Sequence, residues 1–307
     1  MADVLSIVLP VFALVAVGYV GALVGLAPPR MTDGLTDFLF TFCLPVMLFK
    51  LVTAAPPLDT LPFSYWLSYY IGTAVIWVLS SLAARHIFKC DGPETVIAGL
   101  SAGQANVVIV GTPLILKAYG EEAAFPIAML IAVNLPITMT AASILLERSK
   151  NEGRATFRPL VKNLATHPIL IGIFLGIVAR ILGLHPTGTL ASVIDSLSAI
   201  ALPGSLVALG MAIERYGIRD GFGPALTVTC LRLIVHPAIT YLLAFHVFHL
   251  PPVWAGTAVL FACAPAGINV YLFAARYGHG QGIASSAVAL STVAMVASSV
   301  FWLWVLK

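Results

Sequence analysis

Hydrophobic positions fall in ten long runs along the chain, separated by short segments that hold polar residues, glycine or proline. A helix needs roughly 20 apolar residues to cross a hydrocarbon core of ~30 Å. The pattern predicts an all-α membrane protein of ten transmembrane spans. These cover residues 4–25, 35–54, 62–84, 94–118, 123–146, 166–184, 190–213, 222–247, 253–277 and 281–306.

Composition indicates that lipid is the main solvent of the chain. Of its 307 residues, 60% are hydrophobic and 9% are charged, and the mean hydropathy is +0.99, which no water-soluble domain matches. The net charge is only +3, and basic residues lie in gaps between runs, so nucleic acid is not expected as a partner. The four cysteines lack C-x-x-C spacing and are interpreted as packing residues, and no cofactor or metal is expected.

The basic residues are distributed unequally between the two sides of the predicted membrane. Eleven lie in loops on one side, four lie on the other side, and Arg232 lies inside span eight. Because basic loops stay in the cytoplasm, both termini are expected outside. The first run has no basic residues before it and is interpreted as a retained helix rather than a signal peptide.

Helix-breaking residues recur at a shift of 158 residues along the chain. The matched pairs include Pro10 and Pro168, Gly18 and Gly176, Pro45 and Pro203, and Tyr119-Gly120 and Tyr277-Gly278. Each half holds five spans, an odd number, so the second half enters the membrane from the opposite face. The prediction is a five-helix repeat at 1–149, a cytoplasmic linker at 150–165 and an inverted repeat at 166–307.

Spans four and nine carry interruptions at corresponding places in the two halves. Gly103, Gly111 and Pro113 interrupt span four, and Pro265 and Gly267 interrupt span nine. Broken helices inside a membrane are tolerated where they line a cavity, and inverted-repeat transporters bind substrate at such breaks. We therefore predict a substrate site where the two spans cross.

Amide side chains beside these breaks are the candidate ligands of the substrate. Gln104, Asn106 and Asn269 offer N–H donors that suit a carboxylate, and the half-helix N-termini add positive dipole ends. The remaining candidates from the same segments are Gly111, Pro265, Gly267 and Tyr271. The alternative is that glycine and proline only kink packed helices and that the amides bond neighbouring backbone.

Two motifs give the chain a resemblance to a known family. Asn106-Val-Val-Ile-Val-Gly111-Thr-Pro113-Leu, with Tyr119-Gly120 after it, and Pro265-x-Gly267-Ile in span nine resemble the auxin efflux carrier family. The resemblance implies a fold related to the bile acid:sodium symporters, with crossing broken helices 4 and 9. It also implies that a transport domain of helices 3–5 and 8–10 moves like an elevator against a scaffold of helices 1, 2, 6 and 7.

The same resemblance implies that Asn106 and Asn134 line the substrate site. Two departures from the plant carriers are Ala105, where those carriers have proline, and a span three without an acidic residue. The resemblance therefore favours a bacterial-type member, in a bacterial inner membrane, that handles malonate, malate or another small carboxylate rather than auxin.

Other polar residues within the spans each admit two interpretations. Arg232 either attracts the anion or binds backbone carbonyls and helix ends, and the second interpretation is favoured. Asp37 and Asp195 either cap helices at the membrane surface, the favoured reading, or couple transport to protons. His167 and His236 each precede a proline and are interpreted as structural residues.

The predicted function is secondary transport of a small organic anion by alternating access. A sodium-coupled symporter is the nearest alternative, and a receptor or structural membrane subunit is the alternative outside transport. An enzyme is not expected, because no catalytic motif occurs in any span. The sequence leaves open whether Na⁺ or H⁺ drives transport and whether the chain forms a homodimer.

Overall fold

The computed structural model describes residues 2–54, 63–149, 165–216 and 221–306. These residues form fourteen α-helices: α1 Ala2–Leu23, α2 Pro29–Phe38, α3 Leu44–Ala54, α4 Phe63–His86, α5 Gly92–Gly103, α6 Thr112–Tyr119, α7 Ala124–Ser149, α8 Pro168–Ile181, α9 Gly188–Tyr216, α10 Phe222–Cys230, α11 His236–Tyr241, α12 Pro252–Ala262, α13 Ile268–Tyr277 and α14 Gln281–Val305. Wider π-helical turns at Leu39–Cys43, Val107–Gly111, Leu231–Val235 and Leu242–Val247 join or extend them.

Seven helical stretches in the described part of the chain are long and apolar enough to cross a membrane. They are Val4–Leu23, Pro29–Ala54, Phe63–His86, Val107–Leu146, Gly188–Glu214, Phe222–Val247 and Gln281–Val305. The apolar helices α8 and α12 are shorter. The chain is a multi-pass, helical membrane protein, whereas the count of ten spans in two inverted repeats stays a prediction. Most of the predicted linker, residues 150–164, lies outside the described residues.

Three of the π-helical turns precede a proline by two residues. The pairs are Leu39–Cys43 with Pro45, Val107–Gly111 with Pro113, and Leu231–Val235 with Pro237. A proline ring has no N–H and pushes against the carbonyl four residues earlier, and a wider turn relieves that contact. The carbonyl of Leu233, four residues before Pro237, accepts hydrogen bonds from Ser298 Oγ at 2.7 Å and Trp302 Nε1 at 3.2 Å. These helices therefore continue through their prolines.

Close packing through glycine joins the helices into two groups. In one group α1 lies along α9 and α3 lies along α8, while in the other α4 packs against α5 and α10 against α14. A Cβ atom on Gly18 would lie 2.0 Å from the Val207 carbonyl oxygen, and one on Gly172 would lie 2.4 Å from that of Pro45. Such backbone contacts are typical of helix association in lipid.

Two non-helical segments of the described chain, residues 104–106 and residues 263–267, lie beside each other. Ala105 and Ala266 form an isolated antiparallel bridge there. The Asn106 N–H donates to the Pro265 carbonyl at 2.8 Å, and the Gly267 N–H donates to the Gln104 carbonyl at 2.9 Å. Each break thus satisfies backbone groups of the other, which a buried non-helical segment requires. The two interrupted helices meet in the interior.

The first break begins immediately after Gly103, the last residue of α5. A Cβ atom on Gly103 would lie 2.4 Å from the Trp77 ring, so this position has no room for a side chain. The predicted breakers Gly111 and Pro113 do not interrupt the helix. Gly111 has φ −65° and ψ −47°. Pro113 follows the π-helical turn Val107–Gly111, which makes room for its ring, so the helix continues through it.

Candidate functional site

A cavity of about 40 Å³ lies where the two breaks meet. It is lined by residues of both breaks, of α7 and of the start of α8. Five of the predicted substrate-binding residues line it: Gln104, Asn106, Asn134, Gly267 and Asn269. These five come from three separate segments of the sequence, and the meeting of the two breaks beside α7 brings them to one place.

Two of the amide side chains have polar atoms without a hydrogen-bond partner. Asn106 is 5% exposed and Asn134 is 4% exposed. In the part of the chain that the structure describes, Asn106 Nδ2 and Asn134 Oδ1 are inaccessible and have no partner. Leaving a buried polar group unpaired costs about 1–3 kcal/mol. Asn106 Nδ2 is therefore suited to donate to a ligand that enters the cavity, and Asn134 Oδ1 is suited to accept from one.

A threonine of α7 orients Gln104. The Thr138 hydroxyl donates to Gln104 Oε1, and it lies 2.7 Å from the Asn134 carbonyl oxygen. Since Oε1 is occupied, the Nε2 group is the end of the Gln104 amide that can donate to a ligand. Sequence analysis did not identify Thr138. Its spacing of four residues from Asn134, on one helix face, is the signal that could have found it.

Half-helices begin at the cavity from both breaks. Gly267 is the N-cap of α13, and Asn106 precedes the helical segment that continues into α6. The first N–H groups of a helix have no partner within the helix and carry a partial positive charge. Two helix N-termini at one cavity make its surroundings favourable for an anion.

Arg232 is fully buried and binds the opposite ends of the half-helices. Its Nε donates to the Ala264 carbonyl at 2.7 Å, and its Nη1 donates to the Ala102 carbonyl. These carbonyls lie at the C-terminal ends of α12 and α5, where the helix dipole is negative. The contacts match the interpretation that Arg232 binds carbonyls and helix ends, and Arg232 does not line the cavity.

The structure places the other predicted residues away from the cavity. Pro265 lies in the second break, where its carbonyl bonds Asn106. Gly111 is buried in the helix after the first break. A Cβ atom on Gly111 would lie 3.5 Å from the Ala264 Cβ. Tyr271 lines a separate depression with Phe88. Asn269 and Tyr271 are two residues apart on α13, a rotation of ~200° that points them to opposite sides.

The two predicted acidic residues are on the surface of the described part. Asp37 is an exposed residue of α2. Asp195 is exposed within α9, and one of its oxygens lies 2.8 Å from Lys50 Nζ of α3. The pairing accounts for Asp195 within the packed pair of α3 and α9. Neither acid lies at a helix start, so the predicted capping role is wrong for both, and proton coupling stays a prediction.

The two histidines that were interpreted as structural, His167 and His236, differ in their surroundings. His236 is fully buried, and its Nε2 lies 3.2 Å from Thr73 Oγ1 and 3.3 Å from the Tyr69 carbonyl. That environment matches the structural interpretation. His167 instead lines the cavity beside the amides, and sequence analysis assigned it no ligand role. Nothing in the sequence near His167 indicates this position, which depends on how α8 packs.

The described residues contain no group of three or more His, Cys, Asp or Glu side chains that could hold a metal ion. All four cysteines are unpaired. Cys263 Sγ lies 3.2 Å from Ser298 Oγ, between α12 and α14. The cavity therefore depends on amide, imidazole and backbone groups for any ligand.

Comparison with known proteins gives matches over the whole chain. The sequence model of a family described as "Membrane transport protein" matches residues 3–303. A protein of Rhizobium meliloti named "Putative malonate transporter" is 26% identical over 310 residues, covering 100% of this chain and 97% of that protein. An uncharacterized transporter of Methanothermobacter thermautotrophicus is 24% identical, covering 96% of each, and one of Methanocaldococcus jannaschii is 21% identical, covering 98% of each.

Proposed function

Since the chain belongs to the membrane transport protein family, we propose that it carries a small organic carboxylate across the bilayer. This family is the auxin efflux carrier family that the motifs of spans four and nine predict. The observation that supports this most is the cavity between the two breaks, with the buried Asn106 Nδ2 donor that has no partner among the described residues. A carboxylate in this cavity would accept the hydrogen bond that the Asn106 amide lacks.

The chemistry of the cavity favours an anion over a cation. Its described lining contains amides, one imidazole and apolar groups, and no Asp or Glu. Two helix N-termini face it, and N–H donors at such ends bind carboxylates well. A cation would lack a negative partner there.

The size of the cavity favours a short carboxylate. A volume of about 40 Å³ has room for about three water molecules. A malonate-like ion needs a modest widening of this space, whereas the indole ring of an auxin-like acid needs a far larger one. The name of the Rhizobium meliloti relative points to the same class of substrate.

The two groups of packed helices support an elevator-type mechanism. In this proposal α1, α2, α3, α8 and α9 form the scaffold, and the other helices form the transport domain. The domain would carry the breaks and Arg232 as one unit, because Arg232 and the paired backbone hold α5, α10 and α12 together. The cavity would then open to alternate sides of a bacterial inner membrane, with both termini outside.

The test is transport by purified protein in proteoliposomes. We expect Asn106→Ala and Asn269→Ala each to lower radiolabelled malonate uptake about tenfold or more, because losing a hydrogen bond to a charged ligand costs about 1.5–3 kcal/mol. Gln281→Ala, which removes an exposed amide at the start of α14, is the matched control and should transport normally. Unchanged uptake in both asparagine variants would contradict the proposed site.

A further inference from the structure

Resting on the proposed function, we propose that His167 binds the second carboxylate of the substrate, so that the transporter selects short dicarboxylates over monocarboxylates. The amides of the two breaks would bind one carboxylate, and the imidazole would bind the other. The site would thereby combine groups from the transport domain with one group from the scaffold helix α8.

The backbone holds His167 outside the helix and beside the cavity. His167 is the N-cap of α8, with φ −73° and ψ 118°, and its side chain makes no capping hydrogen bond. The following Pro168 disfavours the helical conformation at His167, so the extended geometry is a local consequence of the sequence. The side chain consequently lines the cavity, and capping does not account for it.

The imidazole has an unused polar atom at the cavity. His167 Nδ1 is inaccessible and has no hydrogen-bond partner among the described residues. His236 also has an unpaired Nδ1, but its Nε2 lies near Thr73 Oγ1 and the Tyr69 carbonyl, and His236 does not line the cavity. His167 and Asn106, with their unpaired Nδ1 and Nδ2 atoms, both line it. With the ring proton on Nδ1, a ligand with two acceptor ends would satisfy both atoms.

His167 also supplies the imidazole among the groups that line the cavity. Among the lining residues that the structure describes, the others are amide, aliphatic, aromatic or backbone groups. Arg232 does not line the cavity and donates to the Ala102 and Ala264 carbonyls. A dicarboxylate has one carboxylate for the imidazole N–H and one for the amide N–H groups, whereas a monocarboxylate leaves one of these donors unpaired.

The experiment compares malonate with monomethyl malonate, which keeps the carbon chain but masks one carboxylate. Inhibition of radiolabelled malonate uptake in proteoliposomes measures the affinity for each compound. We expect the wild type to prefer malonate more than tenfold. His167→Ala should weaken malonate binding at least tenfold and change monomethyl malonate binding less than twofold, which erases the preference.

His185→Ala is the matched control, because His185 also precedes a proline, lies at the other end of α8 and is exposed. It should keep the wild-type preference. Size-exclusion profiles establish that each variant is folded. His167→Gln, with a neutral hydrogen-bonding side chain, should lose only part of the preference for malonate. An unchanged preference in His167→Ala, or an equal loss for both compounds, would overturn the inference.

The outcome separates this inference from the function on which it rests. If wild-type protein transports malonate and Asn106→Ala abolishes that transport while His167→Ala keeps the preference, only the role of His167 is wrong. If wild-type protein transports neither compound, the proposed function fails and the inference fails with it.

Discussion

Arg232 illustrates how a single residue can be charged within an apolar interior. Burying an unpaired charge in lipid or protein is costly. The Arg232 guanidinium donates to carbonyls at the C-terminal ends of two half-helices. These carbonyls lack partners within their helices, so one side chain stabilises both broken ends.

We therefore predict that Arg232→Met destabilises the protein by about 3 kcal/mol or more, because it leaves two buried carbonyls unpaired. The measurement is thermal unfolding of the purified protein in detergent. Arg30→Met, which removes an exposed arginine at the start of α2, should unfold near the wild-type temperature. Equal unfolding temperatures for the two variants would show that the carbonyl contacts of Arg232 contribute little.

At the scale of helices, small residues set how closely neighbouring elements approach. Gly18 of α1 faces the backbone of α9 at Val207, and Gly210 of α9 faces the backbone of α1, where a Cβ would lie 2.0 Å from the Val15 carbonyl oxygen. Each glycine thus admits the other helix. In lipid, burying an apolar side chain between helices gains no hydrophobic free energy, because the surrounding tails are equally apolar. Close van der Waals contact between helix backbones therefore supplies much of the attraction between helices.

Gly18→Val should disrupt the contact of α1 with α9, because the new Cβ would overlap the Val207 backbone. Overpacking of this kind costs about 1–3 kcal/mol, and thermal unfolding together with the yield of monodisperse protein measures it. Gly21→Val lies one turn further along α1 and meets nothing within 4 Å, so it should behave like the wild type. If both variants unfold alike, the contact is not a major source of stability.

For the molecule as a whole, the charges around the breaks bear on the driving ion. The described lining of the cavity has no carboxylate that could bind Na⁺, and Arg232 already places a positive charge at the carbonyl ends of α5 and α12. A sodium site normally needs several oxygen ligands free to coordinate the ion. We therefore expect transport without sodium.

Replacing Na⁺ by K⁺ on both sides of the proteoliposome membrane should change malonate uptake less than twofold. Imposing a proton gradient in the same vesicles tests the remaining coupling ion. A tenfold loss of uptake in K⁺ would favour the sodium-coupled symporter instead.

The sequence was sufficient for features that depend on neighbouring residues. The apolar runs indicated that lipid is the solvent of the chain. The glycine, proline and asparagine residues of spans four and nine predicted both interruptions within a few residues of their observed positions. Pro265 and Gly267 lie in the second break, because proline removes a donor and glycine tolerates the extended backbone. Gly111 and Pro113 are the same two residue types, but they remain helical because a π-helical turn makes room for the proline ring.

Only the tertiary structure decided which polar groups are satisfied and which face the cavity. Several of these groups approach partners that are many residues away in the sequence. They are His167, Thr138 and the carbonyl partners of Arg232, and no local sequence pattern indicates such long-range contacts. Asn269 and Tyr271 are near neighbours in the sequence, yet the helix turns one toward the cavity and the other away. The sequence by itself determined the solvent, the helices and the breaks, and packing determined the binding chemistry, because hydrogen bonding and burial are properties of three-dimensional proximity.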